Sequence, residues 1–155
     1  MNKQVTQMDT DVNKSLYEQD FYLWIETTVK LLKERQFSEV DFDNLIEEIE
    51  SMGKSDKSAL RSNLIIVIMH LLKYKYQNEK RSNSWLVTIF EHRRRLKETF
   101  EDSPSLKPYF REVFDNCYKN AQKEAALETG LPMNTFPNES PFTPEEALDS
   151  EYLPE

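Results

Sequence analysis

Only two of the 155 residues are glycine, Gly53 and Gly130. A Rossmann turn or a phosphate-binding P-loop needs two or three glycines within about eight residues, so both are excluded. One cysteine, Cys117, rules out an internal disulfide and a thiolate zinc cage. Two histidines, His70 and His92, cannot make a three-histidine metal centre. The longest unbroken apolar run, Leu64 to Met69, falls far short of the ~18 residues of a membrane-spanning helix. The first residues, MNKQVTQMDTDVNK, are polar and lack the apolar stretch of a signal peptide. With a lone thiol suited to a reducing compartment, the expectation is a cytoplasmic chain with no membrane partner.

What the chain does have is helical periodicity. Residues 1–15 show none and are read as a loose arm. Tyr17, Phe21, Trp24, Thr28 and Leu31 then recur at spacings of three and four, predicting a first helix that ends near Arg35. Asp41 and Asp43 are candidate caps for a second helix carrying Phe42, Leu45, Ile49 and Met52. Gly53 is read as its C-terminal stop, with a bent continuous helix as the alternative. A third helix follows over about 56–77. Its run LIIVIM is rich in β-branched residues, but Leu60, Leu64, Ile68, Leu71 and Leu72 keep helical spacing, which marks it as the central helix. Ser84 is read as the cap of a fourth helix reaching Phe100, and Ser103-Pro104 as the start of a fifth that closes at Gly130. The links are short, which favours antiparallel neighbours. The expected fold is all-α, an up-and-down bundle of four to five helices over 16–130, with 131–155 as an irregular Pro-rich strap. Five of the seven prolines lie in that strap, where Thr143-Pro144-Glu145-Glu146 resembles a capped helical turn.

A series of short motifs runs through this scaffold in order. They are Tyr17-x-x-Asp20-Phe21-x-x-Trp24, Asn44-Leu45-Ile46-Glu47-Glu48-Ile49-Glu50-Ser51-Met52-Gly53, and His70-Leu71-Leu72-Lys73. Ser84-Trp85-x-x-Thr88-Ile89, Ser103-Pro104-Ser105-Leu106 and Glu128-Thr129-Gly130-Leu131 follow, then an acidic Pro/Phe-rich tail. From about Tyr17 to Pro154 the chain resembles the bacterial, largely cyanobacterial family called domain of unknown function twenty-nine. The resemblance implies an α-helical fold and a bacterial source, and it supplies no activity, cofactor or catalytic residue. At His92 the chain departs from the family pattern, where a glutamine is expected, which argues against an essential imidazole there.

Three constellations remain as candidates for function. Glu47, Glu48 and Glu50 on the second helix, with His70 on the third, are the residue types of a metal or acid/base site in a bundle core. Glu48 and His70 are its candidate metal ligands, and Glu47, Glu48 and His70 the candidate catalytic set of a metal-assisted hydrolase. At 100° per residue, however, Glu47 points almost opposite the apolar face centred on Leu45 and Ile49. The ordinary alternative is a solvated acidic face, with His70 bonded to a glutamate of the second helix. Glu47-x-x-Glu50 and Glu112-x-x-Asp115 have the form of magnesium motifs in all-α nucleotide pyrophosphohydrolases, but stand too far apart in the chain. Cys117 lies on an apolar stripe and is read as an inert thiol.

The second constellation is basic: Lys80, Arg81, Arg93, Arg94, Arg95 and Lys97. Arg93, Arg94 and Arg95 on the fourth helix are candidate nucleic-acid contacts, against the plainer reading of paired or solvated charge. The net charge of -8 does not decide the matter. Residues 1–52 carry 5 basic and 12 acidic side chains, and residues 53–97 carry 11 and 3. An acidic first third therefore precedes a basic middle, and the tail, with 6 acids and no base, is expected to cover basic surface. The third constellation is aromatic. Seven tyrosines, nine phenylalanines and two tryptophans exceed what a core of this size must bury, and the tail aromatics are candidates for strapping or for a partner. The sequence therefore predicts a non-enzymatic interaction or accessory protein with no cofactor, binding an unidentified protein or itself. Metal-assisted hydrolysis and nucleic-acid binding are the alternatives.

Overall fold

The computed structural model describes residues 12, 13 and 16–155. Among them there is no β-strand, and the fold is all-α, as the periodicity predicts. In chain order the helices are α1 (Phe21–Lys33), α2 (Phe42–Tyr76), α3 (Asn83–Asp102), α4 (Lys107–Thr129) and the short α5 (Pro144–Leu148). Single 3-10 turns punctuate each connection. The loose arm expected over 1–15 lies outside the described residues, apart from Val12 and Asn13, which are helical.

The main correction falls at Gly53. The second and third helices are one 35-residue helix, α2, and Gly53 sits inside it without a left-handed φ. A lone glycine costs a helix only about 1 kcal/mol relative to alanine. Burial of Leu60 and Leu64 further along the same helix offsets that many times over. The chain nevertheless divides into two compact units within α2, one ending at Lys54 and one running from Ser55 to Glu155.

In the first unit the Asp20 carboxylate caps α1, accepting from the Leu23 amide at 3.0 Å. This satisfies one of the donors that a helix start leaves unpaired. Trp24, Thr28 and Leu31 form the buried stripe of α1, with the Tyr17 and Phe21 rings 4.9 and 5.7 Å from Trp24. Arg35 adopts a φ of 60° and ends the helix, the Gln36 amide reaching back to the Leu31 carbonyl at 2.9 Å. Of the two aspartates read as caps, Asp41 serves α2. It is buried and accepts from both the backbone and the side-chain amide of Asn44, at 3.3 and 2.6 Å.

The second unit holds the main core. From α2 come Leu60, Leu64, Val67, Ile68, Leu71 and Leu72, all without exposed surface. They meet Ile89, Leu96 and Phe100 of α3 and Phe110, Phe114, Cys117, Tyr118, Ala121 and Ala125 of α4. Gly130 ends α4 with a φ of 73°, a left-handed turn that favours glycine. Beyond it the tail folds back, burying Phe136, Phe142 and Ala147 in the same core. Thr143 and Glu146 close a reciprocal capping box on α5, with Pro144 at its first position. The start of α3 moves two residues from the expected place: Ser82, not Ser84, precedes it.

Candidate functional site

The acidic and imidazole candidates stand on one continuous helix rather than on two facing ones. Glu47, Glu48 and His70 lie on one helix, the glutamates in the first unit and His70 in the second, several turns further on. The facing helices that would have brought them together were a consequence of reading Gly53 as a turn. Glu47 is exposed, and Glu48 accepts a 2.5 Å hydrogen bond from the Tyr17 hydroxyl. That bond pushes the phenol up to about 12. Among the described residues no group of three or more His, Cys, Asp or Glu side chains is placed to hold a metal ion.

His70 is buried, and its Nδ1 lies 2.9 Å from the Ile66 carbonyl one turn earlier. The imidazole therefore donates to its own helix rather than to a glutamate, which corrects the expected pairing. Burial lowers its pKa. The nearby Lys73 ammonium is also buried, bonded to Glu128 of α4 at 2.8 Å and standing 4.5 Å from the Trp85 ring. His92 of α3 pairs through Nδ1 with the Asn63 amide oxygen at 2.8 Å, and burial also lowers its pKa. These polar contacts tie α2, α3 and α4 together. Cys117 is buried, and desolvation pushes its thiol up to about 11, far from the range of a reactive thiolate.

The three arginines of α3 turn inward or pair along their own helix. Arg93 is 3 % exposed and donates to three carbonyls of the tail: Ala147 and Tyr152 at 2.9 Å and Glu146 at 3.0 Å. Arg94 pairs with Glu98 at 2.6 Å and Arg95 with Glu91 at 2.5 Å, each one turn away. The tail does lie over basic residues. Arg111 pairs with Glu145, and Lys119 donates to the Asn138 carbonyl at 2.6 Å. A groove of about 500 Å³ runs between α3 and the tail, with Leu86, Ile89 and Phe90 as its apolar floor. Arg94, Lys97, Glu98 and Glu101 form its rim, and it brings together no thiol or imidazole.

The surface that sequence reasoning missed is in the first unit. On α1, Phe21, Tyr22, Leu23, Ile25 and Val29 are exposed, as are Phe37 and then Phe42, Ile46, Ile49 and Met52 beyond it. Tyr22, Ile25 and Val29 form a stripe at spacings of three and four, and Phe42, Ile46 and Ile49 form another. Soluble chains bury such stripes. The signal was present in the width of the first apolar stripe, which holds more side chains than one small core can cover.

The family described as "Domain of unknown function DUF29" matches the chain over residues 16–153. The chain belongs to that family. The match takes in both units and the tail, so the Asp20 cap, the exposed apolar residues at the start of α2 and the Arg93 contacts to the tail all lie within the DUF29 region. No curated protein and no solved structure matches the chain significantly.

Proposed function

We propose that this DUF29 protein is a small non-enzymatic interaction protein of the cytoplasm, acting through the apolar faces of its first unit. The observation that carries the reading is the exposure of ten large hydrophobic side chains between Phe21 and Met52. A large aromatic side chain buries about 150–250 Å². Ten large side chains, each about half exposed, therefore leave on the order of 1,000 Å² of apolar surface in water. That total is spread over α1, the 3-10 turn and the start of α2, and it is large beside the few hundred Å² of a typical monomer's largest single patch. Such a surface is stabilised by another protein covering it. The polar groups of the second unit are engaged in holding helices and tail together, which suits a scaffold. A cytoplasmic setting is supported by the single thiol and by the lack, among the described residues, of any helix able to cross a membrane.

The test is affinity capture from the native cell with two baits, the natural chain and an Ile46→Glu, Ile49→Glu variant. Both residues are exposed, so the variant keeps its fold. The reading predicts that bound protein, including co-expressed untagged chain, falls at least tenfold with the variant. Equal recovery by the two baits would overturn it.

A further inference from the structure

We infer that α2 carries a hinge at Gly53, where the helix opens locally and lets the first unit turn independently of the second. The hinge belongs to α2 itself and operates whatever covers the apolar faces.

The middle of α2 is held at both ends and bare between. Glu48 accepts from the Tyr17 hydroxyl in the first unit, and the Lys57 ammonium stands 4.8 Å from the Tyr109 ring of α4 in the second. All eight residues between them, 49–56, are exposed. Among the described residues, their side chains enter no hydrogen bond, ion pair or ring contact, and a Cβ on Gly53 would meet no atom within 4 Å. The division between the two units falls inside this stretch, after Lys54. Helices in proteins draw most of their stability from packing, and about two turns of α2 have little of it.

Composition weakens the same stretch. Ser51, Gly53, Ser55 and Asp56 fill half of its positions. Glycine gives up the most backbone freedom in a helix, and serine and aspartate side chains compete for its backbone groups. Further on, Leu60, Leu64, Val67 and Ile68 have no exposed surface, so an opening there would uncover the core.

The residues that weaken the closed helix stabilise the open one. Once freed, Gly53 can take the left-handed φ that ends a helix, as Gly130 does at 73° after α4. Ser55 and Asp56 supply side-chain oxygens that accept from the amides exposed at the new helix start. α2 therefore has two forms, one continuous and one stopped at Gly53 and recapped beyond it. Hinges are built from a few residues that absorb such a change of φ and ψ.

Hydrogen exchange of the full chain at sub-denaturing urea tests the opening. The amides of residues 55–57 are expected to exchange at rates that urea leaves unchanged, because a local opening exposes little surface. Those of residues 64–72 are expected to exchange faster as urea rises. Gly53→Ala is expected to slow residues 55–57 about fivefold, the helix-propensity ratio of the two residue types. Paired spin labels test the turning. Glu26→Cys with Glu124→Cys spans the units, and Lys97→Cys with Glu124→Cys lies within the second. All three positions are exposed, and Cys117 is buried. The distance distribution is expected to be at least twice as broad for the spanning pair, and to narrow with Gly53→Ala. Equal widths overturn the hinge, as do residues 55–57 that follow urea like the core or that ignore Gly53→Ala. A rigid joint of that kind would leave the capture experiment above, and the reading it tests, standing.

Discussion

Arg93 carries its charge into a site that is 3 % exposed, and three tail carbonyls hold it there. Hydrogen bonds to a charged group are worth about 1.5–3 kcal/mol each, and a truncation leaves acceptors unpaired. Arg93→Ala is therefore expected to lower unfolding stability by about 3 kcal/mol and to expose the tail to protease, as read by urea unfolding and limited proteolysis. Arg93→Lys restores one contact at best, because an ammonium lacks the planar fork. A loss under about 1 kcal/mol for Arg93→Ala contradicts the clasp. His70 and His92 give the pH dependence. Burial lowers both, so between their folded values and the unfolded value near 6.5 the unfolded chain binds more protons. Stability is thus complete above about pH 6.5 and falls as pH drops below it. Lys73 and Arg95 beside them lower the imidazoles further, while Glu128 and Glu91 act the other way. The urea midpoint is expected to fall from pH 7.5 to 5.5, and less steeply in His70→Gln. A flat profile contradicts the burial of neutral imidazoles.

At the scale of elements, α2 shows what a sequence can and cannot convey. Its second half was legible because Leu60, Leu64, Ile68, Leu71 and Leu72 keep a helical period strong enough to outweigh the β-branched run between them. The Gly130 stop, the Thr143 capping box and the Ser103-Pro104 start were legible for the same local reason. Gly53 was not, because a glycine that stops a helix and one that interrupts it look alike without φ. That one residue decides whether Glu48 and His70 are read on one helix or on two facing ones. Arg93 was likewise opaque, because its partners are backbone carbonyls more than fifty residues away. The sign of one substitution separates the two readings of Gly53. In a continuous helix Gly53→Ala stabilises the chain by about 0.5–1 kcal/mol, whereas at a left-handed stop it would destabilise. Urea unfolding reads that sign.

For the whole molecule, the aromatic surplus resolves differently from its reading in the sequence. The tail rings Phe136 and Phe142 are buried in the second unit, so the tail straps its own chain. Most of the exposed large hydrophobic side chains lie instead in the acidic first unit, along α1 and the start of α2, while Val87, Phe90, Leu127, Met133 and Leu153 are exposed in the second. One unit is a helical core that includes the tail, and the other presents apolar faces. The account's central claim is that those faces are covered by a partner protein. Hydrogen exchange of the chain alone and in the complex recovered by affinity capture tests it most directly, because covering a helix slows the opening of its amides. The account predicts that exchange over Phe42–Gly53 slows at least tenfold in the complex, while α4 exchanges at an unchanged rate. Equal exchange over Phe42–Gly53 in the two samples would contradict it.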